Sequence, residues 1–293
     1  MIVVTAPTSS IGRQVLGNIL DGGEPIRVIA RDPSRLSPQT RGRVEVVQGS
    51  HSDSDVVNRA FAGADQVFWL VPSDPRAPSV EAAYVDFSRP ACAAFQNQGV
   101  KRVVGISALG RGVSANAGHV SASLKMDDLI ASTGVDFRAL TMPGFMDNML
   151  RQLESIKNQG TFFWPVVDGD LKMPTCATRD IAAVAARLLR DPSWSGQGSV
   201  PVLGPEDLSF NDMARIMSEV LGKPVRFQQI PTESLRSRLT GNGYSAAMAQ
   251  AMIDMLVAKS EGLDNAEPRT PEATTPTSFR RWCEEVLKPA VLS

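Results

Sequence analysis

The first chemistry-bearing residues are Ala6-Pro7-Thr8-Ser9-Ser10-Ile11-Gly12-Arg13, which follow the short apolar run Ile2–Thr5 and lead into a helical segment, Ile11–Leu20. A turn from strand end to helix start gathers backbone N–H groups at the positive end of a helix dipole, a place for an anion such as a phosphate. Arg31, closing the run Ile26–Ala30, is a second cue. A guanidinium grips phosphate oxygens with charge-assisted hydrogen bonds of about 1.5–3 kcal/mol. Asp32 beside it is expected to point away or to cap the turn at Pro33. Proton chemistry has few candidates: two histidines, His51 and His119, and two tyrosines, Tyr84 and Tyr244. An ordinary imidazole titrates at about pH 6.5, so His119 suits proton exchange near neutrality. Ser107 follows the run Arg102–Ile106, where its hydroxyl can meet a ligand oxygen or simply cap the strand.

These residues need a frame. Runs rich in Val or Ile fall at Ile2–Thr5, Ile26–Ala30, Val44–Val47, Gln66–Val71, Arg102–Ile106 and Phe137–Thr141. Each has the length of a strand buried on both faces. Helical segments lie between them at Ile11–Leu20, Asp53–Phe61, Val80–Gln98 and Ala122–Thr133. Gly63, Gly99 and Gly134 stand just past three of these, where a left-handed residue commonly ends a helix. This alternation predicts an α/β fold, a doubly wound parallel Rossmann sheet over residues 1–150.

Past Gly144 the rhythm changes. Helices are expected at Phe145–Asn158, Arg179–Arg190, Ser209–Leu221 and Ser245–Ala258, with strands at Val200–Leu203 and Val225–Ile230. Gly160 to Thr175 reads as irregular, and Gly262–Ser278 as a loop before a last helix, Phe279–Leu287. Residues 151–293 are thus expected to form a smaller C-terminal α+β substrate lobe, partly interleaved with the sheet. Ser209 and Asp212 have the spacing of a capping box. Met248, Met252 and Met255 mark a helix face that either packs in a core or offers an adaptable wall to an apolar ligand.

The bulk properties exclude several classes. At 293 residues, 43% hydrophobic and 21% charged with net charge -1, the chain has an ordinary globular composition. Its mixed charge is unlike the basic footprint of a nucleic-acid binder. No stretch approaches the ~20 apolar residues of a membrane span. Met1-Ile2-Val3-Val4-Thr5 has no basic leader, so a cytoplasmic location is expected. Cys92, Cys176 and Cys283 are far apart and fit no zinc spacing; they are expected to be plain thiols, with no metal site. Oligomeric state is left open.

Taken in order along nearly the whole chain, several segments resemble the NmrA-like family of atypical short-chain dehydrogenases/reductases. The first turn is similar to that family's Gly-Ala-Thr-Gly-x-x-Gly, with Thr8, Ile11 and Gly12 in place and Ala6 and Ser9 where the family has glycines. Gly49-Ser50-His51-Ser52-Asp53 stands where members often read Gly-Asp-x-x-Asp near the adenine. Ala64–Leu70 resembles the fourth strand, Val71-Pro72 the loop beside the nicotinamide ribose, and Gly99–Ser107 the stretch into the fifth strand. Met142-Pro143-Gly144-Phe145-Met146-Asp147-Asn148 resembles the segment Arg-Pro-x-x-Phe-Met-Glu-Asn that helps line the substrate pocket. Thr178–Ala182 and Leu203–Ser209 resemble its C-terminal lobe.

The resemblance implies a bound dinucleotide held by Thr8, Ser9, Ser10, Ile11, Gly12, Arg31, Ser50, Val71, Pro72 and Ser107. Arg31, where NAD binders place an acid, makes NADP(H) the expected cofactor over NAD(H). If Ala6 and Ser9 both needed positive φ, each would add about 1–2 kcal/mol of strain, weakening binding roughly 30- to 1000-fold together. Substrate contacts are expected from Pro143, Phe145, Met146 and Trp164. The short-chain enzymes use a tyrosine and, four residues later, a lysine. Counting back from Gly134 puts those positions at His119 and Ser123. His119 then takes the acid's place, with Lys125 and Ser107 as further catalytic candidates. Solvent can supply the proton otherwise, which suits an activated substrate. The leading expectation is an NADP(H)-dependent oxidoreductase passing hydride to a small conjugated carbonyl, quinone or related aromatic compound. Two others stand open: a non-catalytic dinucleotide sensor or regulatory binding protein, and a Rossmann-derived isomerase or cyclase that no longer uses nicotinamide.

Overall fold

A computed structural model describes residues 1–112, 116–165 and 168–293. The apolar runs form strands β1 (Ile2–Thr5), β2 (Ile26–Ala30), β3 (Glu45–Gln48), β4 (Gln66–Trp69), β5 (Arg102–Ile106) and β6 (Asp136–Thr141). All pair in parallel, in the order β3-β2-β1-β4-β5-β6. This is the doubly wound Rossmann order, whose direction reverses between β1 and β4. Later strands are β7 (Gly144–Phe145), β8 (Thr161–Pro165), β9 (Met173–Cys176), β10 (Gln197–Pro201), β11 (Asp207–Leu208) and β12 (Arg226–Ile230). β10 extends the large sheet beside β6, while β11-β9-β7 and β12-β8 make two small sheets.

The chain forms two compact units, each assembled from separated segments. The first holds Met1–Ala108, Ala122–Thr141 and Ile181–Val200; the second holds Leu109–Ser121, Met142–Asp180 and Pro201–Ser293. In the first unit, Phe61 stacks on Phe95 with ring centroids 5.2 Å apart, and Trp69 meets Phe95 edge-on. In the second, Phe210 stacks on Phe227 at 5.1 Å and Phe279 on Trp282 at 5.7 Å. Ser209 and Asp212 close a capping box on the helix Phe210–Leu221. Gly63, Gly99 and Gly134 all take positive φ past their helices. All three cysteines are buried, and burial pushes the Cys92 and Cys283 thiols up to about 12. Among the described residues no helix is long and apolar enough to cross a membrane.

Several elements differ from expectation. The helix expected at Val80–Gln98 widens into a π-turn at Ala82–Asp86 before Phe87–Asn97. Pro90 explains it, because a proline ring clashes with the carbonyl four residues back, here that of Asp86. Cys283–Leu287 widens likewise just ahead of Pro289. The helix expected at Phe145–Asn158 becomes β7, a 3-10 stretch Met146–Gln152 and a short helix Leu153–Gln159. Tertiary bonds win there. Phe145 pairs with Cys176 across β7 and β9, and the Asp147 carboxylate accepts from the N–H and hydroxyl of Thr178 at 3.0 and 2.8 Å. The stretch Gly160–Thr175, expected to be irregular, contains β8 and the start of β9; its Val166 and Val167 lie outside the described residues. A helix at Thr232–Gly241, absent from the expectation, buries none of its residues and so has no apolar stripe to reveal it.

Arg27 is a charged residue in an otherwise apolar central strand. Its guanidinium donates to the carbonyls of Ala60 at 2.7 Å and Ala62 at 2.8 Å, and meets the Glu45 carboxylate at 2.8 Å. Carbonyls at a helix C-terminus have no partner within the helix, so Arg27 completes the end of Ser54–Phe61. Replacing Arg27 with Met strands these acceptors and should lower the unfolding free energy by about 3 kcal/mol, read by urea denaturation. A loss under about 0.5 kcal/mol, the size of an ordinary surface substitution, would contradict this role.

Candidate functional site

In a parallel sheet all strand C-termini share one edge. On that edge of the first unit fall the turn after β1, Arg31 after β2, Ser50 after β3, Val71 and Pro72 after β4, and Ser107 after β5. At the turn, Ala6 takes φ 47, a left-handed conformation that favours glycine. Ser9 does not: its φ is -71, and its hydroxyl caps the helix Ser10–Ile19 by accepting from the Gly12 N–H at 2.9 Å while donating to the Ala6 carbonyl at 2.8 Å. The strain of the two departures from glycine thus falls at Ala6 alone. A β-carbon on Gly12 would lie 2.1 Å from the Ala6 oxygen, so this position needs glycine for close approach. The amides of Ser10 and Ile11 open the helix with no carbonyl a turn behind them, leaving donors for an anion.

Arg31 is exposed, and no side chain among the described residues pairs with its guanidinium. Asp32 turns away, accepting from the Ser34 amide at 3.0 Å and hydroxyl at 2.6 Å; these bonds hold its carboxyl below the usual range. The Ser50 hydroxyl lies 2.8 Å from that of Ser52. Next to it, His51 is buried edge-on against Trp69 and Phe87, with Nε2 3.0 Å from the Leu70 carbonyl. Burial pushes its pKa down to about 4, so it is a neutral brace between β3 and the end of β4. Thr5 adds a second brace, donating to the Phe68 carbonyl and accepting from the Leu70 amide, both at 2.9 Å.

Ser107 donates its hydroxyl hydrogen to the carboxylate of Asp127, which is buried in the helix His119–Ala131. Its oxygen therefore faces any ligand as an acceptor. Sequence reasoning missed Asp127, although Ser123, Asp127 and Ile130 fall at the four-and-three spacing of one helix face. Lys125 points to solvent and pairs with Glu81 at 3.0 Å. In the second unit His119 is buried; burial lowers its pKa, against a hydrogen bond to the Met248 backbone that raises it. Asn116, just before it, donates to Asp254 at 3.1 Å, and Gly118 approaches the Ala251 carbonyl too closely for any β-carbon. Met248 is in the core, and Met252 and Met255 are half-buried.

The second unit also holds a cavity of about 60 Å³. Phe145 and Trp164 line it, together with Met149, Met173, Phe210 and Met213. Pro143 and Met146 are buried outside its lining. The polar lining includes Asn148, which ends the segment expected to line a substrate pocket, and Lys259 and Asp264, which the sequence pattern had not pointed to as site residues. Among the described residues no cluster of three or more His, Cys, Asp or Glu could hold a metal ion.

The chain is similar to several known proteins. The family model described as NmrA-like family matches residues 1–277. A (4-alkanoyl-5-oxo-2,5-dihydrofuran-3-yl)methyl phosphate reductase of Streptomyces griseus is 31% identical over 289 residues, spanning 97% of each chain. An NAD(P)H azoreductase of Xenophilus azovorans is 28% identical over 265 residues, or 87% of this chain and 86% of that protein. Among solved structures, an NADPH-dependent quinone oxidoreductase of Escherichia coli complexed with NADPH superposes with a TM-score of 0.74 at 21% identity, covering 93% of this chain and 97% of that one.

Two outcomes follow from the turn and its braces. Ala6→Gly should raise stability by about 1 kcal/mol by relieving the left-handed alanine, whereas Ser9→Ala should lower it by a similar amount through loss of the cap. Thermal unfolding of both variants checks this, and a destabilised Ala6→Gly would refute the strain. His51 has a depressed folded pKa, so its stabilisation is complete above about pH 6.5 and drains away as pH falls toward 4. The loss amounts to about 3 kcal/mol by urea titration across that window, and His51→Phe should flatten it.

Proposed function

The chain belongs to the NmrA-like family, and from that premise we propose that it is an NADP(H)-dependent oxidoreductase passing hydride to a small conjugated carbonyl, quinone or related aromatic compound. The observation that carries the cofactor half is Arg31, an unpaired guanidinium on the sheet edge that also bears an amide-lined turn. A dinucleotide phosphate fits that pair of features, since an unpaired exposed cation and free helix-start amides both favour an anion. The reductase half draws support from relatives named as reductases of an azo compound and of a furanone phosphate.

Bound nicotinamide would supply the hydride. In this reading the chain's own residues position and exclude. Ser9, through its bonds to Ala6 and Gly12, holds the turn that takes the phosphates, with Thr8, Ser10 and Ile11 around it. Arg31 reads the 2′-phosphate, and Ser50, Val71 and Pro72 line the same edge. Ser107, its hydrogen committed to Asp127, accepts from a cofactor or substrate hydroxyl. Lys125 is spent on Glu81, and burial favours neutral His119, so the proton comes from solvent. Such a route works for quinones and conjugated systems, whose reduced oxygens are weakly basic. Phe145 and Trp164 contribute aromatic surface for a flat substrate.

Calorimetric titration with NADPH and NADH tests the cofactor assignment. Arg31→Ala should weaken NADPH by about 10- to 100-fold and leave NADH unchanged. Equal loss for both, or no loss, would remove Arg31 as the phosphate ligand. For the proton, His119→Phe should lower kcat with a quinone less than about tenfold, against the 100-fold or greater loss expected of a general acid.

A further inference from the structure

Inside the second unit, Lys259 and Asp264 form an ion pair whose side chains are 14% and 3% exposed, and both line the cavity bounded by Phe145, Trp164 and Phe210. The Lys259 ammonium donates to both carboxylate oxygens, at 2.6 and 2.5 Å. An ammonium has three hydrogens, so one is left over. The pair is neutral as a whole, yet it offers the cavity a charged donor. Asn148 adds a second unspent group: its amide makes no hydrogen bond among the described residues. The rest of the wall is aromatic or methionine, apart from Gly144, Pro174, Ser260 and a Thr175 hydroxyl already donated to the Gly144 carbonyl at 2.7 Å.

We propose that this cavity is a subsite for an uncharged hydrogen-bond acceptor, a ketone or lactone-type carbonyl on a small apolar body, selected by the Lys259–Asp264 pair. The carbonyl oxygen accepts from the remaining Lys259 hydrogen, with Asn148 as second donor. The body lies against Phe145, Trp164 and the methionines, whose flexible thioethers let a cavity of about 60 Å³ expand around it. Asp264 is what makes the site selective. An anion would gain Lys259 but face a buried carboxylate that Lys259 already serves, whereas a neutral carbonyl meets no such repulsion. The proposal rests on the reading of this cavity as a receiver for part of the substrate, and it names the chemistry of that part.

The test uses the whole chain without nicotinamide, so its result is independent of whether the protein is a reductase. Butanone and propionate are close in shape and differ in charge. Their binding is followed up to high millimolar concentration by the indole N–H resonance of Trp164, identified with Trp164→Phe. Butanone should bind at least about tenfold more tightly than propionate. Asp264→Asn leaves Lys259 without its counter-charge and should shrink that preference, tightening propionate about tenfold. Because one half of a buried pair is hard to remove without loss of stability, Lys259→Met/Asp264→Leu serves as the second variant. It should weaken butanone about tenfold while xenon, an apolar probe of the same cavity, binds as before. Equal affinities in the parent chain, no binding of butanone, or unchanged butanone affinity in the double variant would each overturn the proposal.

Discussion

One close approach governs the first unit. Where β1 ends, the helix Ser10–Ile19 begins so near the Ala6 carbonyl that only glycine fits at position 12. That proximity aims the helix N-terminus at the edge where the parallel strands all finish. β1 sits between β2 and β4, where the strand order reverses, so the turn opens into the crevice that a doubly wound sheet leaves at that point. Ala6 carries the strain of keeping the turn tight, and Ser9 locks it from within by bonding both ahead and behind. A strained residue held by its surroundings at such a point is a common mark of a binding site.

Four buried polar side chains are answered by partners that say what each is for. Arg27 ends a helix, His51 and Thr5 tie strand ends together, and Asp127 fixes the Ser107 hydroxyl. In a low-dielectric interior an unanswered group of this kind is expensive, so these bonds hold the site edge in one geometry. Lys259–Asp264 differs from the others because a donor hydrogen remains after the pair is made. It is a structural pair with a vacancy facing a cavity.

Much of this was legible in the sequence, because strands buried on both faces read as unbroken Val/Ile runs and β1, β2 and β5 begin and end where those runs do. Caps at Ser209 and Asp32 and the terminating glycines were equally local, set by one side chain and its neighbours. What escaped was set by distant residues. Phe145 pairs with Cys176, and Asp147 serves the helix after it, so local periodicity misread Phe145–Asn158 as a helix. The proline effect was legible in principle: Pro90 and Pro289 each imply a disturbed turn four residues earlier. The left-handed strain at Ala6 was foreseeable, but its absence at Ser9 was not, because serine can also cap. Lys259 and Asp264 gave no signal, since nothing in the chain order says which exposed-type residues a cavity will bury.

The central claim is hydride transfer from NADPH, and isotope transfer tests it most directly. NADPH deuterated on one face of the nicotinamide and, in a parallel sample, on the other would each be mixed with the protein and a simple quinone, and the oxidised cofactor examined by mass spectrometry. The account predicts protein-dependent consumption of NADPH, with deuterium lost from one face of the ring and retained from the other. Tight NADPH binding without consumption would contradict it and leave a sensor, and quinone-independent chemistry without NADPH binding would leave a repurposed sheet.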